Sequence, residues 1–175
     1  ESSSILYGHS IIVRGSEITG IVPADEAPEM PANRISELTH HTLMPGLVNA
    51  HGHAAMTLFR GIANDLPLQQ WLEQHIWPAE GANVNSDFVR FGTRLAIAEM
   101  LKSGTTTFSD MYFFPESAAL EVSEQGMRAQ LCTPILDFPT AWGSGPDEYL
   151  SKSASLHEGF MNHPLVTIAL GPHAP

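Results

Sequence analysis

The sequence predicts an α/β fold with a parallel sheet, and two observations support this class. From residue 45 onward, short β-rich runs alternate with segments whose apolar residues recur every three or four positions. Such alternation implies right-handed βαβ units, in which the strands run parallel. A length of 175 residues with 43% hydrophobic residues is also sufficient to bury a core of this kind.

Residues 1–44 are predicted to form a separate, small β unit. Apolar runs at 11–13 and 18–22 flank the turn residues 14–17, which is typical of a hairpin. A connection rich in proline and acidic residues follows at 23–31, and residues 34–39 alternate as a half-exposed strand does. His40 and His41 are adjacent, so on a strand they would point to opposite faces, and we interpret them as structural.

The second segment, residues 45–175, contains the alternating elements. Leu47 and Val48 are expected to be the buried last residues of a first parallel strand. A long loop then carries Trp71, Trp77 and Glu80, and the two tryptophans either wall a pocket or pack this loop onto the sheet. The remaining pattern predicts helix 86–103 with Ser86 or Asp87 as N-cap, strand 105–111, helix 115–125, strand 127–136, a glycine-rich loop at 141–146, helix 147–162 and strand 166–170.

Counted from Leu47, these elements make at most about four strand–helix units, which is half of a (β/α)8 TIM barrel of roughly 250 residues. We therefore expect the first half of such a barrel, within a longer protein. An open, doubly wound sheet is the alternative. It would carry a phosphate-binding glycine turn after its first strand, where this chain has His51-Gly52-His53.

His51 and His53 are the candidate metal ligands. Residues i and i+2 of extended backbone point the same way, so the two imidazoles can reach one point in space. Neutral imidazole nitrogen is a preferred ligand of zinc, and Gly52 between them leaves room for the turn. With nine histidines in the chain, the spacing alone is a weak signal, and its position after a Pro-Gly and a short apolar run strengthens it.

Composition excludes several classes of function. Eight Lys plus Arg against nineteen Asp plus Glu give a formal charge of −11, which repels nucleic acids and anionic lipid. A single cysteine, Cys132, can form neither an internal disulfide nor a His/Cys/Cys zinc centre. The absence of a long apolar run and of a basic leader predicts a cytoplasmic protein with no membrane partner.

Several motifs together resemble the amidohydrolase superfamily. The similarity is strongest to its branch of methylthioadenosine/S-adenosylhomocysteine deaminases, which is related to the chloro-s-triazine hydrolases and guanine deaminases. It rests on residues 43–56 (LMPGLVNAHGHAAM), 58–61 (LFRG), 71–72 (WL), 77–80 (WPAE), 102–107 (KSGTTT), 126–129 (GMRA) and 171–175 (GPHAP). These motifs extend along most of the chain.

This resemblance implies a fold and a metal site. Residues 1–44 would be the amino-terminal part of a small β-sandwich domain, and residues 45–175 the first half of a metal-dependent hydrolase barrel. One divalent ion per subunit, zinc or else Fe²⁺ or Mn²⁺, would be held by His51, His53, a histidine from the fifth strand and an aspartate from the eighth. The last two ligands and the proton-shuttling glutamate would follow Pro175, so we expect no catalytic residue within this chain.

The resemblance also implies substrate contacts. Glu80 would bind the ribose hydroxyls of a purine nucleoside, His173 a ring nitrogen of the base, and Trp71 would be an aromatic wall of the pocket. The expected activity is hydrolytic deamination of 5-methylthioadenosine, adenosine or S-adenosylhomocysteine, with release of ammonia. The absence of arginine after Arg128 favours the first two substrates, because members acting on S-adenosylhomocysteine offer arginines to its carboxylate.

Other interpretations remain open from the sequence. The only lysines, Lys102 and Lys152, are not near the end of the strand at 166–170, so a second metal bridged by a carbamylated lysine is not expected. An s-triazine or guanine aminohydrolase, or a chlorohydrolase, would use the same metal site with another pocket. A non-catalytic scaffold or an inactive fragment is a further alternative. We expect a homo-oligomer that binds a small-molecule substrate.

Overall fold

A β-hairpin forms the amino-terminal part of the protein. The computed structural model describes residues 4–27 and 34–173, and the chain divides into two compact units, Glu1–Leu43 and Met44–Pro175. In the first unit, β1 (His9–Arg14) pairs antiparallel with β2 (Glu17–Pro23), followed by a 3-10 turn, Ala24–Glu26. The predicted hairpin is therefore confirmed.

A four-stranded parallel sheet forms the centre of the second unit. Its strands are β3 (Leu47–Asn49), β4 (Thr105–Met111), β5 (Arg128–Ile135) and β6 (Val166–Pro172). They lie in the order β3-β4-β5-β6, so each strand pairs with the one that precedes it in the chain. The predicted α/β class with a parallel sheet is confirmed.

Helices connect these strands. A 3-10 helix (Ala54–Phe59) follows β3, and three consecutive helical segments come next: α1 (Leu68–Trp71), a π-helical turn (Leu72–Ile76) and α2 (Trp77–Asn83). The longer helices are α3 (Ser86–Lys102), α4 (Pro115–Gln125) and α5 (Pro146–Phe160). Prolines begin α4 and α5, where a missing N–H costs nothing, and Gly126 ends α4 in the left-handed conformation.

The core lies between one face of the sheet and the helices. Phe108 on β4 and Leu131 on β5 are each 1% exposed and pack in one cluster with Val89 of α3 and Val122 of α4. On the opposite face of the sheet, Met111 of β4 and Cys132 of β5 are only partly buried. Burial of the first face thus fixes the helices against the sheet and leaves the second face available.

A buried carboxylate joins α3 to α4. The Glu121 side chain has no exposed surface, and its two oxygens accept hydrogen bonds from Arg90, Arg94 and Gln125. These bonds, that of Arg94 above all, lower the pKa of Glu121 below its ordinary value. Arg90 also pairs with Glu124, so the two helices are held by a small ionic network.

Three details of the sequence interpretation are wrong. Residues 34–39 form no strand, and Ile35 is 78% exposed; alternation alone does not specify a strand unless another strand pairs with its backbone groups. Leu47 and Val48 are 50% and 67% exposed instead of buried, because β3 lies at the edge of the described sheet. The N-cap of α3 is Asn85, whose side chain accepts from the Phe88 N–H, instead of Ser86 or Asp87.

The expected long loop before α3 is also corrected. Residues 68–83 are helical, so Trp71, Trp77 and Glu80 lie on helices. Pro78 lies in the first turn of α2, where proline is tolerated, and the π-helical turn directly precedes α2. Among residues 4–27 and 34–173, none of the helices combines the length and the hydrophobicity that a bilayer crossing requires.

Candidate metal centre and substrate site

The two candidate metal ligands lie side by side just after β3. The ring centroids of His51 and His53 are 5.3 Å apart and the rings are nearly perpendicular. An ion about 2.0–2.1 Å from a ligating nitrogen is about 3.2 Å from the ring centroid, so two imidazoles at a tetrahedral angle have centroids about 5.2 Å apart. The observed separation is therefore compatible with joint ligation of one ion.

The end of β4 holds the second histidine in place. The Nδ1 atom of His53 lies 2.7 Å from the Met111 carbonyl oxygen, and the Met111 N–H donates to the Gly52 carbonyl at 3.2 Å. A carbonyl can only accept, so Nδ1 of His53 must carry the proton. In the neutral imidazole, the other ring nitrogen, Nε2, then has the free lone pair that a metal ion requires.

Asp110 supports the turn that follows His53. Its side chain is 4% exposed, and Oδ1 accepts the Ala54 N–H at 2.6 Å. Burial raises the pKa of Asp110 to about 6, and the hydrogen bond from Ala54 and the charge of His53 oppose this rise. Asp110 thus fixes the backbone directly after His53.

The histidine pair opens onto one face of the sheet. A cleft there is lined by Ala50, His51, His53 and Met111, together with Cys132 of β5 and Gly171 of β6. No cluster of three or more His, Cys, Asp or Glu side chains suited to a metal ion occurs within the part of the chain that the structure describes. Within the described residues, the candidate ligand set therefore consists of two imidazoles.

Glu80 is a half-buried carboxylate on α2. Its Oε1 atom accepts a hydrogen bond from the Tyr112 hydroxyl at 2.7 Å. Burial raises the pKa of Glu80, whereas the Tyr112 bond and the charges of His53 and His173 lower it. Glu80 therefore interacts electrostatically with one imidazole of the pair and with His173.

His173 and Trp71, the other two predicted substrate contacts, differ in position. His173 directly follows β6, its backbone N–H donates to the Ile135 carbonyl at 3.1 Å, and its side chain is exposed. Trp71 donates its indole N–H to the Ile62 carbonyl at 3.2 Å, which anchors the preceding loop. Of the two alternatives for Trp71, this contact favours packing of the loop, and it does not prevent the ring face from lining a pocket.

Sequence reasoning missed the supporting residues Asp110, Met111 and Tyr112. They are consecutive, at the carboxyl end of β4, and all three contact the segment of His53 or Glu80. Their position at the end of a predicted parallel strand could have indicated Asp110 and Tyr112, because the residues that form the active site of a (β/α)8 barrel lie at the carboxyl ends of its strands. The partners, 32 to 58 residues away in sequence, could not be identified without the fold.

Comparisons with known proteins agree with this architecture. A deaminase of 5-methylthioadenosine/S-adenosylhomocysteine from Saccharophagus degradans is 54% identical over 172 residues, covering 97% of this chain and 39% of the relative. A 5'-deoxyadenosine deaminase from Methanocaldococcus jannaschii is 41% identical, covering 94% of this chain and 39% of that protein. The chain thus spans about two fifths of the length of the curated relatives that it matches.

Solved structures show the same fold. The crystal structure of an adenosine deaminase from Xanthomonas campestris with bound zinc has a TM-score of 0.94 and 44% identity, covering 97% of this chain and 39% of that one. A guanine deaminase from C. acetobutylicum has a TM-score of 0.75 and 19% identity, and the match covers 94% of this chain and 41% of the guanine deaminase. At this identity, the similarity shows the fold alone. The model of the amidohydrolase family matches residues 42–175, so the chain belongs to the amidohydrolase family.

Proposed function

We propose that this chain is the amino-terminal portion of a metal-dependent deaminase that acts on an adenine nucleoside. The relatives named as deaminases of 5-methylthioadenosine, S-adenosylhomocysteine and 5'-deoxyadenosine support this function, as does the zinc-containing adenosine deaminase. Residues 1–44 would belong to a small β-sandwich domain and residues 45–175 to the first half of a (β/α)8 barrel. The strand order β3-β4-β5-β6 supports the barrel, because each strand lies beside its predecessor.

The observation that carries this proposal is the pair of imidazoles after β3. His51 and His53 are separated as two ligands of one ion would be, and the bond to Met111 leaves Nε2 of His53 free to ligate. A single zinc ion per subunit is the best match to a site of imidazole nitrogens, and Fe²⁺ and Mn²⁺ are the alternatives. When bound, the metal supplies a water molecule whose pKa is lowered towards neutrality.

The other residues of this chain would bind and orient the nucleoside. A carboxylate can accept hydrogen bonds from both hydroxyls of a vicinal diol, so Glu80 is assigned to the ribose. His173, at the end of β6, would form a hydrogen bond with a ring nitrogen of the base, and Trp71 would contribute an aromatic wall. Residues that move protons are expected after Pro175, so this chain would hold the substrate and two of the metal ligands.

The charge of the chain favours a neutral substrate. The formal charge of these 175 residues is −11, and residues 129–175 contain no arginine. A substrate with its own carboxylate, such as S-adenosylhomocysteine, would find few cationic partners among these residues. We therefore propose 5-methylthioadenosine or adenosine as the preferred substrate. Homo-oligomer formation, a cytoplasmic location and the lack of nucleic-acid or membrane partners stay predictions.

Metal content and ammonia release test the proposal in the natural protein. Protein purified without chelators should contain about one zinc per subunit and release ammonia from 5-methylthioadenosine and adenosine. Chelation should abolish turnover and added zinc should restore it. His51→Ala and His53→Ala should each lose bound metal, whereas His157→Ala, at an exposed position of α5, should keep both metal and activity.

Three results would contradict this function. Preferential turnover of guanine or an s-triazine, with none of either adenine nucleoside, would transfer the assignment to another activity of the same metal site. Unchanged metal content in both histidine variants would show that the ion, if bound, is held elsewhere. A protein that binds zinc but releases ammonia from no substrate would support a scaffold instead.

A further inference from the structure

Three consecutive residues at the end of β4 contact both parts of the candidate site. Asp110 accepts the Ala54 N–H, and the Met111 carbonyl accepts the Nδ1 proton of His53. Tyr112 then donates its hydroxyl proton to Glu80 at 2.7 Å. Residues 110–112 therefore contact both the segment of the histidine pair and the Glu80 carboxylate.

Tyr112 is itself held firmly. Its side chain is 7% exposed, it belongs to the main hydrophobic core, and its ring lies 5.3 Å from that of Phe113. The hydroxyl must be the donor to Glu80 when the carboxylate is ionised, because that group can only accept. Among the described residues, the Tyr112 bond is the one hydrogen bond made by the Glu80 side chain, and it engages Oε1.

We propose that Tyr112 is a positioning residue, whose hydroxyl holds the Glu80 carboxylate in one orientation for the hydroxyls of a bound ribose. This inference rests on the proposed role of Glu80 as the ligand of the ribose hydroxyls. Without the Tyr112 hydroxyl, the glutamate side chain gains rotamers that must be lost again on binding, so the affinity for a diol falls. Tyr112 contacts no substrate in this proposal and acts only through Glu80.

The test compares two substrates in the natural protein, adenosine and 2',3'-dideoxyadenosine, which lacks the diol. Tyr112→Phe should raise KM for adenosine about tenfold, change kcat by less than about threefold, and leave KM for the dideoxy analogue unchanged. Glu80→Gln should raise KM for adenosine at least as much. Addition of Tyr112→Phe to Glu80→Gln should then have no further effect, because the two side chains act as one unit.

A matched control separates positioning from stability. Tyr149 is a fully buried tyrosine whose hydroxyl donates to the Gly143 carbonyl at 2.7 Å, so Tyr149→Phe removes a buried hydroxyl outside the candidate site. Tyr149→Phe should lower Tm, and its effect on KM should be the same for adenosine and for the dideoxy analogue. Zinc content should be the same in the Tyr112→Phe, Tyr149→Phe and unmodified proteins.

The possible failures are distinguishable. An equal rise in KM for both substrates in Tyr112→Phe, or additive effects in the double variant, would overturn the positioning role and leave the proposed function intact. The positioning role would also be overturned if Tyr112→Phe left KM for adenosine unchanged while Glu80→Gln raised it strongly. If Glu80→Gln left both KM values unchanged, the ribose role of Glu80 would fail and the role of Tyr112 with it, while the deaminase activity would stand. If no ammonia were released from either nucleoside, the proposed function itself would fail.

Discussion

Replacement of Gly92 by alanine should destabilise the protein, because α3 crosses the turn that follows the histidine pair at this residue. A Cβ atom at position 92 would lie 2.4 Å from the carbonyl oxygen of Ala55 and 2.8 Å from its Cα atom. Ala55 is fully buried in the 3-10 helix Ala54–Phe59. The clash is therefore with backbone, which cannot change rotamer to relieve it.

The magnitude follows from the displacement that is needed. Restoring an ordinary contact of 3.4 Å requires the two elements to separate by about 1 Å. Overpacking of this kind costs about 1–3 kcal/mol, and the higher helix propensity of alanine offsets up to about 1 kcal/mol. The net loss in the free energy of unfolding should be about 0.5–2 kcal/mol.

Gly159→Ala is the matched control. Gly159 lies in α5, and a Cβ atom there would have no neighbour within 4 Å. This variant should stabilise the protein by about 0.5–1 kcal/mol through helix propensity alone. Urea unfolding of both variants and the unmodified natural protein measures the two effects. The packing argument would be refuted if Gly92→Ala raised the free energy of unfolding as Gly159→Ala does.

Three further substitutions test the contacts of α3 and α4. Glu121→Gln should cost about 2 kcal/mol at pH 7, since hydrogen bonds to a charged group are lost. Because the pKa of Glu121 is lower in the folded protein, its ionised form contributes fully to stability above the ordinary pKa of 4.5. The difference in the free energy of unfolding between Glu121→Gln and the unmodified protein should therefore shrink as the pH falls below that value. A difference that does not change with pH would contradict the ionic role. Thr93→Val should leave stability unchanged or raise it by up to about 1 kcal/mol, because the Thr93 hydroxyl is buried and has no hydrogen-bond partner among the described residues. A loss of stability above about 1 kcal/mol, measured by thermal unfolding, would be inconsistent with an unpaired hydroxyl. Asn85→Ala should lower stability by about 1 kcal/mol through loss of the cap on the Phe88 N–H, and Asn85→Asp, which keeps the cap, should not.

Local periodicity predicts most of the elements correctly. The apolar residues of α3 recur at helical spacing, and Gly104 after α3 and Gly126 after α4 mark the helix ends because glycine commonly ends helices. The predictions for residues 34–39 and 68–83 are wrong for opposite reasons. The first segment has a strand pattern without a strand to pair with, and the second is a helix in spite of Pro78.

The candidate site is predictable only in part. His51 and His53 are only two residues apart, so sequence alone can suggest that their rings lie close together. The contacts of His53 with Met111 and of Glu80 with Tyr112 depend on how β3 and α2 pack against the end of β4. Such contacts between distant parts of the chain are set by strand register and helix packing, which local patterns do not encode.

The bond that orients His53 is made by the main chain of residue 111, and this has a consequence for mutagenesis. Every amino acid has the same carbonyl group, so the identity of the side chain at position 111 can change without loss of the acceptor. The methionine sulfur faces Gly171 across the sheet, which limits the size of a replacement more than its chemistry. Saturation mutagenesis should therefore find position 111 permissive to small and medium apolar residues, whereas its two neighbours, Asp110 and Tyr112, act through side chains and should tolerate few changes.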